Sequence, residues 1–454
     1  MTRLPSTRAA VPCLLAVLSA LLVSGTVAQE PGEVRVGLTY RPGYLPALVL
    51  PGARAEDGAL GEAAARVDSI LRRDLRFSDR FDMLEVPDSL DRSSGVRYEL
   101  WNELGAQWLV TAHLSGSPDE PLLRVTLHDV VYRRLEEVQA FTLPAPGDDG
   151  FRMAVHRVSD RVVRWATGEP GMAASRIAFR RKTSDGGSDL WMVDSDGRNL
   201  RRLTRDSTIV YSPAFSPDGG RVAYVSYRGG GPAVYEKDLS TGEIRTVSDR
   251  PGVNLTPAYH PDGGRLLLAR TVRVDGRSGG SEVFELQLDP LCCPRRLTDT
   301  EPGDALNPTY APGGDRFAYE ATPLGEQQVY VQRVEGGGTG LISRYVYGER
   351  GSAAAPDWSP TGGRIAYQAW IDGRWQVVAV NPDGSDRRVL TSEGNNEEPS
   401  WAPDGRHLVF RSTREGYHAL WVLDTVTGSL RRLVANQVDQ TPDWSPQLPA
   451  GGGR

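Results

Sequence analysis

Pro356-Asp-Trp-Ser-Pro-Thr-Gly-Gly-Arg-Ile-Ala-Tyr367 is one copy of a two-part phrase that recurs along the chain. Its first part returns as Pro213-Ala-Phe-Ser-Pro217, Pro257-Ala-Tyr-His-Pro261, Pro308-Thr-Tyr-Ala-Pro312, Pro399-Ser-Trp-Ala-Pro403 and Pro442-Asp-Trp-Ser-Pro446, at spacings of 44, 51, 48, 43 and 43 residues. Its second part returns as Arg221-Val-Ala-Tyr, Arg265-Leu-Leu-Leu, Arg316-Phe-Ala-Tyr and Arg406-His-Leu-Val-Phe. A sixth copy of the second part, Arg176-Ile-Ala-Phe, comes before any copy of the first, and the last first part, Pro442–Pro446, has no second part after it. Each end of the array therefore holds the half-unit that the other end lacks.

A period of this length marks a repeat architecture. The aromatic between two prolines predicts a short strand, because proline cannot donate to a ladder. The Gly-containing turn that follows suits a hairpin, since glycine adopts positive φ cheaply. The Arg-Ile-Ala-Tyr run alternates like a strand. Two further strands split by a polar turn complete each unit, as in Leu190-Trp-Met-Val193, Asp196-Gly197 and Leu200-Arg-Arg-Leu203. Four antiparallel strands per repeat predict propeller blades, six in all. The permuted ends predict that Pro442–Pro446 supplies the inner strand of the blade that begins at Arg176, which removes the open edge.

The 454 residues leave room for more than the array. Residues 1–28 read as a secretory signal, with Arg3 and Arg8, an apolar run from Ala9 to Val23, and cleavage near Ala28. A retained N-terminal anchor is the alternative. The mature chain is expected in the periplasm, and no second run is long enough to span a bilayer. The 52 Lys+Arg against 58 Asp+Glu give a net charge of −6, or −8 once Arg3 and Arg8 leave with the signal, which argues against nucleic acid as a partner. Only the adjacent Cys292 and Cys293 remain after cleavage, so the fold does not depend on disulfides.

Residues 29–168 do not repeat. Pro46–Leu50 reads as a buried strand, Leu60–Leu75 as an amphipathic helix, and Trp108–Leu114, Leu122–Val131 and Leu135–Leu143 as strands. Phe151, Val155, Val158, Val162 and Trp165 make a last helical stripe. The fold class expected is mainly β: a six-bladed β-propeller over 172–446, preceded by a small α/β domain over 29–168 with a loosely held leading segment, and followed by a disordered tail over 447–454.

No catalytic, cofactor-binding or metal-binding constellation stands out. Gly276-Arg-Ser-Gly-Gly280 fits the nucleophile-elbow spacing but lies between blade strands, without the strand–turn–helix context that the motif needs. The six histidines form no ligand cluster, and His260 reads as a spacer variant. Asp194-Ser-Asp-Gly197 begins like a calcium loop but lacks the distal Glu, and reads as a turn. Gly336-Gly-Gly-Thr-Gly340 lacks the Lys-Ser/Thr of a phosphate loop.

With signal, α/β domain and six repeats in place, the chain resembles the TolB family of the Tol–Pal cell-envelope system. The resemblance is carried by Glu33-Val-Arg35, Ala47-Leu-Val-Leu50, Asp74-Leu-Arg76 with Ser78 and Phe81, Trp101-Asn-Glu-Leu-Gly105, His156 with Ser159-Asp160, Arg176-Ile-Ala-Phe, and the lone terminal Pro-x-Trp-Ser-Pro at 442–446. It implies a non-enzymatic periplasmic scaffold that supports outer-membrane integrity and cell division. It further implies that the propeller binds a peptidoglycan-associated lipoprotein, Pal, and that the mature N-terminus binds a TolA-like inner-membrane protein. The segment carried over for the second partner is Glu33, Val34, Arg35, Val36 and Leu38; the alternative is that Val34–Leu38 is the first strand of the α/β domain. We expect a monomer without cofactors. The rival classes are a propeller-type hydrolase or peptidase, for which no hydrolase domain remains, and a ligand-binding propeller.

In a propeller, the segments entering each inner strand emerge on one face around the channel mouth. Loops on a rigid scaffold commonly carry binding groups. The candidate partner contacts there are Tyr211, Asn254, Thr256, Asp304, Asn307, Glu397, Glu398, Asp439 and Gln440.

Overall fold

The computed structural model describes residues 44–86, 96–206, 208–274, 277–301, 303–344, 351–434 and 439–449. The signal and the segment Glu33–Leu38 lie outside the described residues. So do residues 450–454.

The α/β domain is one sheet with helices on both faces. Its strands are β1 (Ala47–Val49), β2 (Ala53–Ala55), β3 (Asp82–Leu84), β4 (Trp108–Gly116), β5 (Pro121–Asp129) and β6 (Arg134–Thr142). The order is β3-β1-β4-β5-β6, with β2 also on β4; β1 runs parallel to β3 and β4, and β4-β5-β6 is an antiparallel meander. Helix α1 (Gly61–Phe77) buries Ala63, Ala64, Val67, Ile70, Leu71 and Leu75, the stripe its 3.6-residue period predicts. Helix α3 (Gly150–Thr167) buries Phe151, Val155, Val158 and Val162 against the same core as Val110, Ala112, Val125 and Leu127. The short α2 (Tyr98–Glu103) was not anticipated from periodicity, since six residues are too few to show one. It covers the other face, where Trp101 packs with Val49 and Leu109.

Six four-stranded antiparallel sheets follow. Five are contiguous in sequence, and the sixth has the order Asp439–Trp444, Arg176–Lys182, Ser188–Asp194, Arg201–Arg202. The ring closes as the half-units predict, with Asp439 opposite Arg181, Asp443 opposite Ala178 and Trp444 opposite Ile177. The repeat aromatics Phe215, Tyr259, Tyr310, Trp358, Trp401 and Trp444 are buried between blades. Where the aromatic is tyrosine, its hydroxyl donates to a glutamate of the preceding blade: Tyr259 to Glu236 at 2.6 Å and Tyr310 to Glu285 at 2.7 Å. Where the repeat carries His260, the ring packs edge-on against Tyr310 at 4.7 Å, so it is a wedge between blades rather than a spacer.

Two expectations change. Arg277-Ser-Gly-Gly280 is not a loop: it opens the strand Arg277–Leu288, which pairs antiparallel with Arg265–Val274. Residues 447–449, expected to belong to a disordered tail, are packed in place. Leu448 is buried beside Met153 and Ala174, and Arg157 donates to the carbonyls of Leu448 and Pro449 at 3.2 and 2.7 Å. An apolar side chain with a pocket and a guanidinium for its backbone is enough to fix those residues.

Candidate functional site

The local conformation of the repeat explains what the channel presents. In all six blades the pairing of inner and second strands slips by a bulge at the first repeat proline. A proline fits there because the bulged position has no ladder donor to supply. The residue before it is thrown into the left-handed region: Ser212 (φ 48°), Thr256 (49°), Asn307 (47°), Ala355 (49°), Glu398 (55°) and Thr441 (45°). Residues other than glycine rarely sit there, and a β-branched threonine least of all. Six such residues form a ring around a channel of about 420 Å³.

Acceptors from the neighbouring blade hold the ring in place. The Asn307 amide donates to Thr256 Oγ1 at 3.2 Å, Ala355 to Glu320 Oε2 at 2.7 Å, Glu398 to Gln368 Oε1 at 2.8 Å and Thr441 to Glu398 Oε2 at 2.8 Å. One layer deeper, the Phe215 amide donates to Asp443 at 2.8 Å and the Trp401 amide to Asp357 at 2.7 Å. Burial pushes the Asp357 carboxyl up to about 6 and Asp443 well above the usual carboxylate range; burial likewise raises Glu320 and Glu398. The channel thus carries carboxyl groups that resist ionisation, an environment of polar acceptors with little charge.

The candidate contacts divide into two kinds. Thr256, Asn307 and Glu398 belong to the ring, Tyr211 stands beside it next to Tyr227, and Asp304 is exposed. Glu397 is half-buried and paired with Arg411. Asn254, Asp439 and Gln440 are buried and already engaged, so they do not present to a partner. Asn254 donates to the carbonyls of Pro232 and Arg250 and accepts from Ser248. Asp439 is held by Arg181 through two bonds of 2.7 and 2.8 Å, and Gln440 accepts from Arg180 at 3.2 Å. Asn254 and Asp439 open their strands, and Gln440 follows Asp439 on the opposite face.

The opposite face of the propeller is occupied. The α/β domain meets the turns at Asp194–Gly197 and Asp404–His407 and the residues Asp424 and Arg431, which lie at the far ends of the blades from the ring. Asp196 accepts from Arg152 at 2.7 Å and Arg73 at 3.0 Å, and Asp194 from Arg152 at 3.3 Å. Asp74 takes His156 Nδ1 at 2.7 Å and Ser159 at 2.6 Å. Asp160 accepts the amides of Ala173 and Ala174. At Gly171 a Cβ would stand 2.2 Å from Asp160, so only glycine fits this approach. Arg406 donates to the Asp79 carbonyl at 2.6 Å, and the Arg431 guanidinium lies 4.3 Å over Phe77.

Two trios at this interface, Asp74-His156-Asp196 and Asp79-His407-Asp424, bring oxygen and nitrogen donors within 4.8 Å of one another. Arginines already neutralise both sites: Arg73 and Arg152 on Asp196, and Arg406 on Asp424 at 2.5 Å. Burial lowers the basicity of His156, but the charge and hydrogen bond of Asp74, with Asp196 and Asp194 behind, outweigh it and carry the ring up to about 9. The arrangement is an ion-pair seam. Sequence reading missed it because Asp194-Ser-Asp-Gly197 looks like an ordinary turn; the one available signal was His156, Ser159 and Asp160 sharing a helix face.

The geometry defines a class: a closed six-bladed propeller with an α/β domain fixed to one face and a polar channel mouth on the other. The TolB beta propeller domain profile matches residues 163–448, and the TolB amino-terminal domain profile matches residues 45–135. The chain belongs to the TolB family. It is 33% identical over 218 residues to the Tol-Pal system protein TolB of Methylococcus capsulatus, covering 47% of this chain and 50% of that protein. It is 30% identical over 335 residues to the Tol-Pal system protein TolB of Bordetella parapertussis, covering 70% of each. The chain thus spans about half the length of the first of these curated relatives and 70% of the second. The crystal structure of TolB from Acinetobacter baumannii superposes with a TM-score of 0.76 at 23% identity, over 89% of this chain and 98% of that one, which supports the fold.

Proposed function

We propose that this chain is a non-enzymatic periplasmic scaffold of the Tol–Pal system that docks a Pal-like peptidoglycan-associated lipoprotein at the channel mouth. A TolA-like inner-membrane protein would be engaged through the N-terminal segment, and the assembly would serve outer-membrane integrity and division. The observation that carries the reading is the ring of six left-handed residues on the face not used by the α/β domain. Non-glycine residues held in sparsely populated backbone regions cluster at active sites and ligand clamps. Family membership supplies the identity of the system.

Titrating the full chain with the soluble domain of the lipoprotein from the same organism tests this. Asp304→Arg combined with Glu398→Arg should weaken binding about tenfold or more, because unpaired charge at an interface centre is costly. Thr246→Arg, on an outer strand, should leave it unchanged. Equal affinity for the Asp304/Glu398 variant and the parent would move the interface off this face. The channel volume supports a second reading, a small ligand held by neutral carboxyls; a calorimetric response to periplasmic small-molecule extract, without the lipoprotein, would favour it.

A further inference from the structure

Cys292 and Cys293 form a disulfide between sequence neighbours, on the strand Leu291–Arg296. That strand is the outermost of its blade and pairs on one side alone. Cys293 is exposed, Cys292 half-buried, and Leu291 beside them is 46% exposed.

The bond has little structural work to perform. A disulfide stabilises chiefly by restricting the unfolded chain, and the restriction grows with the loop it closes. Here the loop is two adjacent residues, the smallest there can be. The ladder does not depend on it either. Gln287 pairs with Cys292 and Glu285 with Arg295, so one residue of the neighbouring strand Arg277–Leu288 faces Cys293 and Pro294 together across a bulge. Opening the sulfur ring would leave both flanking pairs intact. The left-handed φ of 59° at Cys293 falls at this bulge before Pro294, as at the six repeat prolines, and so does not need the sulfur bond. Once reduced, Cys292 has an acceptor in reach, since its sulfur lies 3.8 Å from Gln287 Oε1. The anchoring of the strand lies elsewhere, in Arg295 with Glu285 and Glu335 and in Arg296 with Glu282.

We propose that Cys292–Cys293 is a thiol–disulfide exchange site on the rim of the propeller, taking electrons from a dithiol protein of the thioredoxin class. The reductant's thiolate attacks the sulfur of Cys293, the more exposed residue of the pair. The Cys292–Cys293 bond breaks, and its electron pair leaves on Cys292, which takes a proton from water. The reductant's second thiolate then attacks its own sulfur in the mixed disulfide, forming the reductant's disulfide and releasing Cys293 as a thiolate. One disulfide and one dithiol are exchanged, with no other reactant. The site is independent of the docking face proposed above.

The test uses the full purified chain under native conditions. Exposure to millimolar dithiothreitol, then alkylation and intact-mass measurement, should show two added groups within minutes. A thioredoxin lacking its resolving cysteine should be trapped on Cys293, located by peptide mass. The melting temperature of the reduced protein and of the Cys292→Ser/Cys293→Ser variant should stay within about 2 °C of the oxidised parent, because the loop is so short. Thiols that alkylate only in denaturant, or a trapped adduct on Cys292, would overturn the assignment. So would a fall of about 10 °C or more on reduction, which would make the bond structural.

Discussion

His407 of the propeller points its Nε2 at Asp79 of the α/β domain, 3.3 Å away, while His156 of the α/β domain points its Nε2 at Asp194 of the propeller, 3.9 Å away. Each domain thus sends one buried histidine toward a carboxylate of the other. Each histidine is also anchored by an aspartate of its own domain: Asp404 at 2.6 Å for His407 and Asp74 at 2.7 Å for His156. The anchor fixes the ring, and the second nitrogen reads the partner domain.

This seam should give stability a pH dependence. His156 is raised above its unfolded value of about 6.5, to about 9, so its contribution is fully present below pH 6.5 and is lost as pH rises through 9. The loss is on the order of 2–3 kcal/mol. In guanidinium unfolding, His156→Gln should be well below the parent at pH 6.5 and close to it at pH 9.5. A gap that stays constant over that range would remove the charge from the argument.

Ring closure rests on Asp439, which has no solvent exposure and is gripped by Arg181, itself 13% exposed. Removing one partner of a buried pair leaves a bare charge, at about 3–5 kcal/mol. Asp439→Ala should lose that much, and deletion from Gln440 onward should abolish cooperative melting or solubility, because it strips the inner strand from its blade. Calorimetry decides; unchanged melting of the truncated chain would mean that the ring does not need this strand.

Asp357 behaves in the opposite sense from a surface carboxylate. Its folded pKa is raised to about 6, so proton uptake favours the folded state and stability falls as pH climbs from about 4 to above 6. Asparagine keeps an oxygen for the Trp401 amide and carries no charge. Asp357→Asn should therefore match the parent at pH 4 and exceed it by about 1–2 kcal/mol at pH 7.5, the figure being reduced for water in the channel. Chemical denaturation at both values would settle it, and a variant less stable at both would show that the carboxylate is needed charged.

Asn254 lies in the entry segment of its blade yet acts inside it. Three hydrogen bonds end on its buried amide. Asn254→Ala should cost about 2–3 kcal/mol, because two carbonyls and a hydroxyl lose their partner. Asp304→Asn, at the exposed end of the next entry segment, keeps an oxygen for the Ser281 amide that Asp304 accepts at 2.7 Å and should cost under about 1 kcal/mol. Comparable losses at both sites would contradict the division between staples and exposed positions.

The repeat period, the prolines flanking each aromatic and the complementary half-units at Arg176 and Pro442 are local facts. They determined the blade count, the strand order and the closing strand, because a strand or a hairpin turn follows from residues a few positions apart. The helices α1 and α3 were legible for the same reason. The entry segments were legible as a set. Which of their residues face solvent was not: Asn254 and Thr256 look alike in sequence, yet one is sealed in the blade and the other sits in the ring. The difference arises from a bulge whose register only the paired strand fixes. The same holds for the seam. His156 and Asp74 are 82 residues apart, and Asp79 and His407 are 328 apart. A lone aspartate in a turn carries no mark of the arginine it will meet. Burial and partnership are properties of the packed chain, so the tertiary structure alone decided them.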